Sequence, residues 1–302
     1  MKKVIVTGAK GFIGRHSLKT LIEKGFEVHA ITSSDLPEET YNSIWHQVNL
    51  LDTSQIETLM RTVQPTHLLH FAWYAIPGKY WTSEQNFLWV QASIELIRQF
   101  RENGGQRVVI AGTCAEYDWK YGYCSELVTP VHPKSPYSVC KRALQEIVNS
   151  YSELTGLSSV WGRIFWAYGP HEYPQRLVPF VISSLLQGEL ANCSHGNQIR
   201  DFLYVQDVAD AFVAILESEI TGPVNIGSGQ PMSIKEIVYQ IAGTIGKPES
   251  ICLGAIPASI NEPPLLVADV SLLSKNVGWQ PQYDLERGLV LTINWWKNHL
   301  GI

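Results

Sequence analysis

Two side chains in the middle of the chain have the spacing needed for proton transfer. Tyr137 and Lys141 are four residues apart, in a stretch where Ser135 can cap a helix and Pro136 can occupy its first turn. One helical turn then places the phenol and the ammonium on the same face. An ammonium favours the phenolate, which would let Tyr137 donate and accept a proton near neutral pH, although a free tyrosine titrates near ~10. The spacing predicts an acid/base tyrosine supported by a lysine.

A hydroxyl group is expected beside this pair. Residues 108–112 have the pattern of a buried strand and are followed by Thr113. Ligands of open parallel α/β sheets bind outside the carboxyl ends of the strands. Because the helix that carries the Tyr-Lys pair follows this strand, we expect Thr113, Tyr137 and Lys141 to converge.

A glycine-rich turn near the start predicts a dinucleotide site. The run from Thr7 to Gly14, TGAKGFIG, stands between a predicted strand and a predicted helix. Glycines remove the Cβ atoms that would block a pyrophosphate, and a helix N-terminus supplies N–H groups and the positive end of its dipole. Packing alone could also explain such a turn. The cofactor contacts predicted here are Gly8, Lys10, Gly11, Phe12, Ile13 and Gly14.

Short β-branched runs alternate with longer amphipathic stretches, as in a parallel sheet with crossover helices. Strands are predicted over residues 4–7, 27–32, 67–71, 108–112 and 159–165. Helices are predicted over residues 14–24, 54–62, 86–102 and 136–155. The order predicts an α/β fold with a doubly wound parallel sheet and a smaller C-terminal substrate-binding lobe. We expect a dinucleotide-binding domain over 1–165, to which 202–227 returns, and a second lobe over 166–302.

The composition indicates a folded protein without nucleic-acid or membrane partners. Of 302 residues, 45% are hydrophobic and 17% charged, and the net charge is −5. A sequence-independent nucleic-acid binder would instead carry a basic excess. No apolar run approaches the ~18 residues of a membrane span, and the chain begins with a strand pattern rather than a signal peptide. We therefore expect a cytoplasmic protein.

The cysteines and histidines predict neither disulfides nor a metal site. The five cysteines are odd in number and lack Cys-x-x-Cys spacing, so they are interpreted as reduced thiols. The nine histidines include no pair at metal-ligand spacing. No metal is expected.

The chain resembles an extended short-chain dehydrogenase/reductase of the nucleotide-sugar epimerase/dehydratase family. Beyond the glycine turn and the Tyr-Lys pair, the similarity rests on YGP at 168–170, RDF and VQDVA within 200–209, NIGSG at 225–229 and GWQP at 278–281. The resemblance implies a Rossmann fold and hydride transfer at a sugar carbon, usually C4. It implies that Tyr137 is the acid/base, that Lys141 fixes the nicotinamide ribose and tunes Tyr137, and that Thr113 hydrogen-bonds the reacting oxygen. The substrate would be a nucleotide-diphosphate sugar anchored in the C-terminal lobe.

The resemblance also implies contacts with the substrate. Arg200 matches the family's diphosphate-binding position and Arg176 could provide a second fork, although either could form a surface salt bridge. Trp166 replaces an Asn that is common before the YGP motif, and residues 257–263 lack a second arginine common in the family. These two departures indicate that the phosphate contacts differ from those of the family.

An aromatic run, residues 72–81, follows the strand at 67–71. In this fold the run passes over the cofactor towards the sugar, so Trp73, Tyr74 and Tyr80 are predicted to form an apolar wall against a 6-deoxy methyl group and the sugar ring. Core packing or a subunit contact would explain the same composition.

The end of the second strand bears on the cofactor. NAD-binding members place a carboxylate there, whereas this chain has Thr32, Ser33 and Ser34. Hydroxyls, with Lys10 in the adjoining turn, suit a 2′-phosphate, which favours NADP(H). NAD(H) is the alternative if Asp35 reaches the ribose. The remaining predicted cofactor contacts are Leu50, Phe71, Ala72 and Phe165.

These features favour NADPH-dependent reduction of a nucleotide-linked 4-keto-6-deoxyhexose. An NAD-dependent 4-epimerase is the alternative, and a non-catalytic dinucleotide-binding protein is a third hypothesis. A dehydratase is disfavoured, because Cys114 and Ala115 follow Thr113 where dehydratases have an acidic pair, and Glu116 is interpreted as a turn residue. The resemblance also implies a homodimer formed through helices 86–102 and 136–155.

Overall fold

The computed structural model describes residues 2–37, 42–258 and 262–302. Its β-strands are β1 (Lys3–Thr7), β2 (Glu27–Thr32), β3 (Ile44–Gln47), β4 (His67–His70), β5 (Arg107–Thr113), β6 (Tyr123–Cys124), β7 (Ser158–Ile164), β8 (Trp166–Tyr168), β9 (Ala191–Asn192), β10 (Ile199–Tyr204), β11 (Gly222–Ile226), β12 (Pro231–Ser233), β13 (Ile251–Cys252) and β14 (Leu265–Ala268). Its α-helices are α1 (Gly14–Glu23), α2 (Thr53–Val63), α3 (Gln85–Glu102), α4 (Pro136–Thr155), α5 (Leu177–Leu186), α6 (Val205–Glu217), α7 (Ile234–Ile245), α8 (Ser271–Lys275) and α9 (Leu285–Leu300).

The main sheet has seven parallel strands in the order β11-β7-β5-β4-β1-β2-β3. Its central strands are apolar on both faces, as expected where helices cover both sides; Val4, Ile5 and Val6 are fully buried. Helices α1 and α6 pack together in one layer, and α2, α3 and α4 pack as neighbours in the other. The predicted α/β fold with a doubly wound sheet is therefore confirmed.

The predicted strands and helices all occur, with ends that differ by at most a residue or so. Helix α4 begins at Pro136 because the Ser135 hydroxyl accepts a hydrogen bond from the Ser138 N–H at 3.2 Å. The sequence did not predict β3, a partly exposed edge strand with the sequence IWHQ. An edge strand of four residues has too short an apolar pattern to be recognised.

The second part of the structure is built around β10. This strand pairs with β8, β12 and β14, and β14 pairs with β6. Helices α5, α7 and α9 pack over it around a separate apolar core. Between these elements, α6 and β11 join the main sheet and its helices. The domain limits at residues 165 and 166 stay a prediction.

The chain order places a crevice at the carboxyl edge of the main sheet. Strands β1 and β4 are neighbours, but the chain leaves them towards opposite edges of the sheet, so the connections that follow them separate. The glycine turn follows β1, the aromatic run follows β4, and Thr113 ends β5. Among the helices of the described ranges, none has the length and apolarity that crossing a membrane requires.

Candidate active site

Thr113, Tyr137 and Lys141 line one cavity of about 530 Å³ at the carboxyl edge of the main sheet. Thr113 is the last residue of β5, and the other two lie on the first turns of α4. The Thr113 hydroxyl lies close enough to the phenol of Tyr137 to lower its pKa. The structure thus brings the three residues together, as the sequence predicts.

The phenol of Tyr137 is enclosed by other rings. The centroids of the Tyr80 and Trp81 rings lie 4.7 Å and 5.6 Å from that of Tyr137, both edge to face. Burial raises the pKa of Tyr137, and the nearby Thr113 hydroxyl opposes that shift only in part. The phenol is therefore protonated at neutral pH. This differs from the expectation that Lys141 would favour the phenolate; burial is the largest influence on the phenol.

The ammonium of Lys141 is 2.9 Å from the Ala111 carbonyl oxygen and 3.7 Å from the centroid of the Trp73 indole. Burial lowers the pKa of Lys141 to about 7, and the charge of Glu116 opposes the shift. Asn86, which is fully buried, accepts a hydrogen bond from the Trp73 Nε1–H at 2.9 Å. Trp73 is thereby fixed against Lys141. The sequence analysis predicted Trp73 as part of a wall against the sugar and did not predict this contact.

Glu116 anchors the end of β5 and does not face the cavity. Its fully buried carboxylate accepts hydrogen bonds from the Thr113 N–H at 2.9 Å, the Trp161 Nε1–H at 2.8 Å and the Arg163 Nε–H at 2.9 Å. It also completes a capping box with Thr113. Glu116 is a turn residue, as interpreted, but its buried ion pair with Arg163 was not foreseen. The cavity wall after Thr113 consists of Cys114 and Ala115.

The glycine turn packs closely against neighbouring backbone and lines the cavity. Gly8 has a φ of 66°, and a Cβ on it would lie 2.9 Å from the Ala72 backbone nitrogen. A Cβ on Gly14 would lie 2.3 Å from the Gly8 carbonyl oxygen. Helix α1 starts without a side-chain cap, so its first N–H groups suit an anionic group. These residues fit a dinucleotide.

Most predicted contacts of cofactor and substrate line the same cavity. Those on the cofactor side are Gly8, Gly11, Phe12, Ile13, Gly14, Phe71, Ala72 and Phe165. Those on the substrate side are Trp73, Tyr80, Trp166 and Arg176. The residues predicted for the cofactor and those predicted for the substrate therefore border one cavity, although Tyr74 is not among its lining residues.

Five predicted cofactor contacts lie outside that lining. Thr32 is buried, and its Oγ1 accepts a hydrogen bond from the Ser34 N–H at 3.2 Å, while Ser33 and Ser34 are exposed. The Lys10 ammonium donates to the Asp35 carbonyl oxygen at 2.7 Å, which places it at the end of β2. Leu50 is packed in the apolar core below the sheet.

Arg200 is also outside the lining. It is fully buried, its Nη2–H donates to Glu262 Oε1 at 2.8 Å, and its Cζ lies 5.0 Å from the centroid of the Trp166 ring. A diphosphate at this position would have to compete with Glu262. Within the departure noted at 257–263, residues 259–261 lie outside the described residues.

Several lining residues were missed as site residues, among them Trp81, Trp119 and Glu172. Trp81 ends the aromatic run, and Glu172 is the second residue after the YGP motif, so position beside a known motif was the available signal. Glu172 is 6% exposed and its Oε1 lies 3.4 Å from the Arg176 Nε. Burial raises its pKa to about 7, while Arg176 acts to lower it.

Among the described residues, no group of three His, Cys, Asp or Glu side chains could hold a metal ion, and the five cysteines are free. A second cavity, of about 640 Å³, lies between β10 and the segment 279–285, and its lining includes none of Thr113, Tyr137 and Lys141.

Comparisons with known proteins agree with this geometry. Residues 4–227 match the model of the NAD dependent epimerase/dehydratase family. The dTDP-glucose 4,6-dehydratase of Xanthomonas campestris pv. campestris is 26% identical over 97% of this chain and 92% of its own. The CDP-abequose synthase of Salmonella typhimurium is 27% identical over 95% of each chain.

A solved structure extends the likeness to the fold. The UDP-glucose 4-epimerase of Thermus thermophilus, in complex with NAD, is 26% identical with a TM-score of 0.83 and covers 98% of this chain and 99% of its own. Because a dehydratase is among the similar proteins, similarity does not support the exclusion of a dehydratase. The match over residues 4–227 spans most of the sequence, and it shows that the chain belongs to the NAD dependent epimerase/dehydratase family.

Proposed function

We propose that this protein reduces the ketone of a nucleotide-linked 4-keto-6-deoxyhexose, with NADPH as the reductant. The observation that carries the proposal is the meeting of Thr113, Tyr137 and Lys141 in one cavity, with the phenol kept protonated by burial. When bound, the cofactor supplies the hydride that C4 receives. Tyr137 donates its proton to the C4 oxygen, Thr113 hydrogen-bonds the same oxygen, and Lys141 holds the nicotinamide ribose. Ketone, hydride and proton together give the alcohol.

The state of Tyr137 favours reduction over epimerisation. A ketone needs a proton donor from the start, which a protonated phenol provides. An epimerase first removes a proton from a sugar hydroxyl, which needs the phenolate. Since burial raises the pKa of Tyr137, the phenol is available as the proton donor that reduction requires.

The end of β2 supports NADPH. Thr32, Ser33 and Ser34 provide hydroxyl groups at the end of β2. The ammonium of Lys10 donates to the carbonyl oxygen of Asp35, which follows them. A 2′-phosphate would meet a cation and hydroxyls in place of the carboxylate that accepts the ribose hydroxyls in NAD-specific folds. A reductase that exchanges its cofactor in each turnover fits such a site.

A 4-epimerase that retains NAD is the second candidate. The NAD in the Thermus 4-epimerase structure favours it. For a dehydratase, the chain lacks a free acid after Thr113, because Cys114 and Ala115 stand there and Glu116 is paired with Arg163. A non-catalytic cofactor-binding protein would have no use for the trio.

Absorbance of the reduced cofactor tests the proposal. The purified protein is mixed with dTDP-4-keto-6-deoxyglucose and NADPH or NADH, and the sugar product is examined by NMR. We expect oxidation of one NADPH per alcohol formed at C4, with a lower Kd for NADPH than for NADH. Epimerisation of UDP-glucose without added cofactor would establish the second candidate instead, and water elimination from dTDP-glucose would establish a dehydratase.

We also propose that the protein is a homodimer formed through α3 and α4. Both helices carry large apolar side chains on the surface: Phe87 is 60% exposed on α3, and Val139 and Leu154 are 48% and 82% exposed on α4. Exposed apolar side chains on neighbouring helices suit a contact between identical surfaces. Light scattering should give a molar mass of two chains for the unmodified protein. The Val139→Glu variant should have the molar mass of one chain.

A further inference from the structure

A buried carboxyl group without a full set of partners lies in the catalytic cavity. Glu172 is 6% exposed, and its Oε2 has no hydrogen-bond partner among the described residues. Its backbone N–H donates to the Gly169 carbonyl oxygen, which fixes the turn after β8. A buried oxygen left unpaired in a ligand-sized cavity costs free energy unless a ligand satisfies it.

The other oxygen of Glu172 meets a cation that also faces the cavity. The Arg176 Nε is 3.4 Å from Oε1, and the Arg176 side chain is 36% exposed. The same guanidinium lies close enough to the Tyr80 hydroxyl to act on its pKa, and the Tyr80 ring packs against Tyr137. Glu172 and Arg176 therefore form one polar wall of the cavity that holds the proton donor.

Arg176 and Glu172 together are suited to a phosphate. A guanidinium attracts phosphate oxygens, but an ionised carboxylate beside it would repel them. A protonated carboxyl group removes the repulsion and offers an O–H donor. We infer that Glu172 retains its proton and donates a hydrogen bond from Oε2 to a phosphate oxygen of the nucleotide-sugar diphosphate held by Arg176. This inference rests on the proposed function.

The surroundings of Glu172 agree with a retained proton. Burial raises its pKa to about 7, and Arg176, the cation packed against it from the start of α5, works in the opposite direction. The ring of His171 faces away, towards Arg15 in α1 and Trp295 in α9. Since the donor form exists below the pKa, binding of the diphosphate should weaken as the pH rises through about 7.

Direct binding measurements test the inference. The Kd of UDP-glucose and of dTDP-glucose is measured by calorimetry between about pH 6 and about pH 8, with cofactor present, because a diphosphate diester does not titrate in this range. For the unmodified protein we expect the Kd to increase by about tenfold from the lower to the higher pH, because the protonated fraction of Glu172 falls by about that factor. Glu172→Gln keeps an N–H donor that does not titrate, so its Kd should stay constant. The control is Glu146→Gln, an exposed position on α4 that should behave as the unmodified protein.

A second variant tests the same point if glutamine is poorly tolerated. Arg176→Gln removes the cation that lowers the pKa of Glu172, so the midpoint of the pH dependence should move upwards while the Kd increases at every pH. Equal pH dependence in the unmodified protein and Glu172→Gln would overturn the inference and leave the proposed function intact. A pH effect on the Kd of the cofactor alone would assign the contact to the cofactor and also overturn it. Failure of the unmodified protein to bind either sugar at any pH would refute the proposed function itself.

Discussion

The ammonium of Lys141 lies 3.7 Å from the centroid of the Trp73 indole and 2.9 Å from the Ala111 carbonyl oxygen. These two contacts hold a charged group in a region where burial lowers its pKa to about 7. The lysine is therefore close to losing its charge at neutral pH. A group that supports catalysis as a cation should then limit the rate on the alkaline side.

Trp73→Ala should move that alkaline limit. Removing the indole admits water to Lys141, and since desolvation is the main cause of the lowered pKa, the pKa should rise. The pH above which kcat declines should increase from about 7 by about one unit or more. The pH profile of kcat measures the shift.

Trp73→Phe is the matched control for this change. A phenyl ring keeps part of the cover and the cation–π contact, so its profile should lie between those of the unmodified protein and Trp73→Ala. An unchanged profile in all three proteins would contradict the assignment of the limit to Lys141.

Lys141→Met should lose turnover and gain stability at neutral pH. In the unfolded chain the lysine binds its proton up to about pH 10, whereas in the folded protein it releases it near 7. The unfolded state holds more protons between these values, so the unmodified protein becomes more stable as the pH rises through this window. Methionine does not titrate.

Denaturant unfolding at about pH 7 and about pH 10 measures this effect. The free energy of unfolding of the unmodified protein should rise by about 2–4 kcal/mol relative to that of Lys141→Met over this range. A difference between the two proteins that is independent of pH would mean that Lys141 keeps an ordinary pKa.

Glu116→Gln should destabilise the protein strongly. Glutamine has nearly the same shape, but it leaves the buried guanidinium of Arg163 without an anion. Breaking a buried ion pair in this way costs about 3–5 kcal/mol. The exposed pair of Glu146 with Arg142 provides the control, since Glu146→Gln should cost less than about 0.5 kcal/mol. Similar losses in the two variants, measured by denaturant unfolding, would show that Glu116 is not an anchor.

Thr32→Asp should reverse the preference for the cofactor. The aspartate can still accept the hydrogen bond from the Ser34 N–H, so the local turn is retained. Its charge would repel a 2′-phosphate and accept hydrogen bonds from ribose hydroxyls. Fluorescence titration should show the ratio of the NADPH and NADH Kd values changing by at least about tenfold, or about 1.4 kcal/mol. Thr32→Asn, which lacks the charge, should change it much less; an equal effect of both would exclude charge as the cause.

The sequence predicts the elements that position the site because their signals are local. Pro136 after Ser135 marks the start of α4, and the spacing of Tyr137 and Lys141 follows from the helix. The glycine turn is predicted for the same reason. Thr113 is the last residue of β5, so it lies at the same carboxyl edge of the main sheet.

The sequence could not predict contacts between distant residues. Glu116 and Arg163 are 47 positions apart, and no local sequence pattern indicates that both side chains are buried. Burial lowers the pKa of Lys141, and the Trp73 indole that packs against it follows another strand. Arg200 matches a family motif, but its partner Glu262 is known only from the fold. Charge and burial at the site therefore needed three-dimensional information.

The most direct test of the account is a single turnover of Tyr137→Phe with bound NADPH and a 4-keto nucleotide sugar, followed at the absorbance of the reduced nicotinamide. Phenylalanine keeps the ring contacts with Tyr80 and Trp81 but removes the proton. We expect an unchanged Kd for NADPH and a rate lower by about 10²–10⁴ than that of the unmodified protein. Hydride transfer at an undiminished rate in this variant would contradict the role of Tyr137 as proton donor.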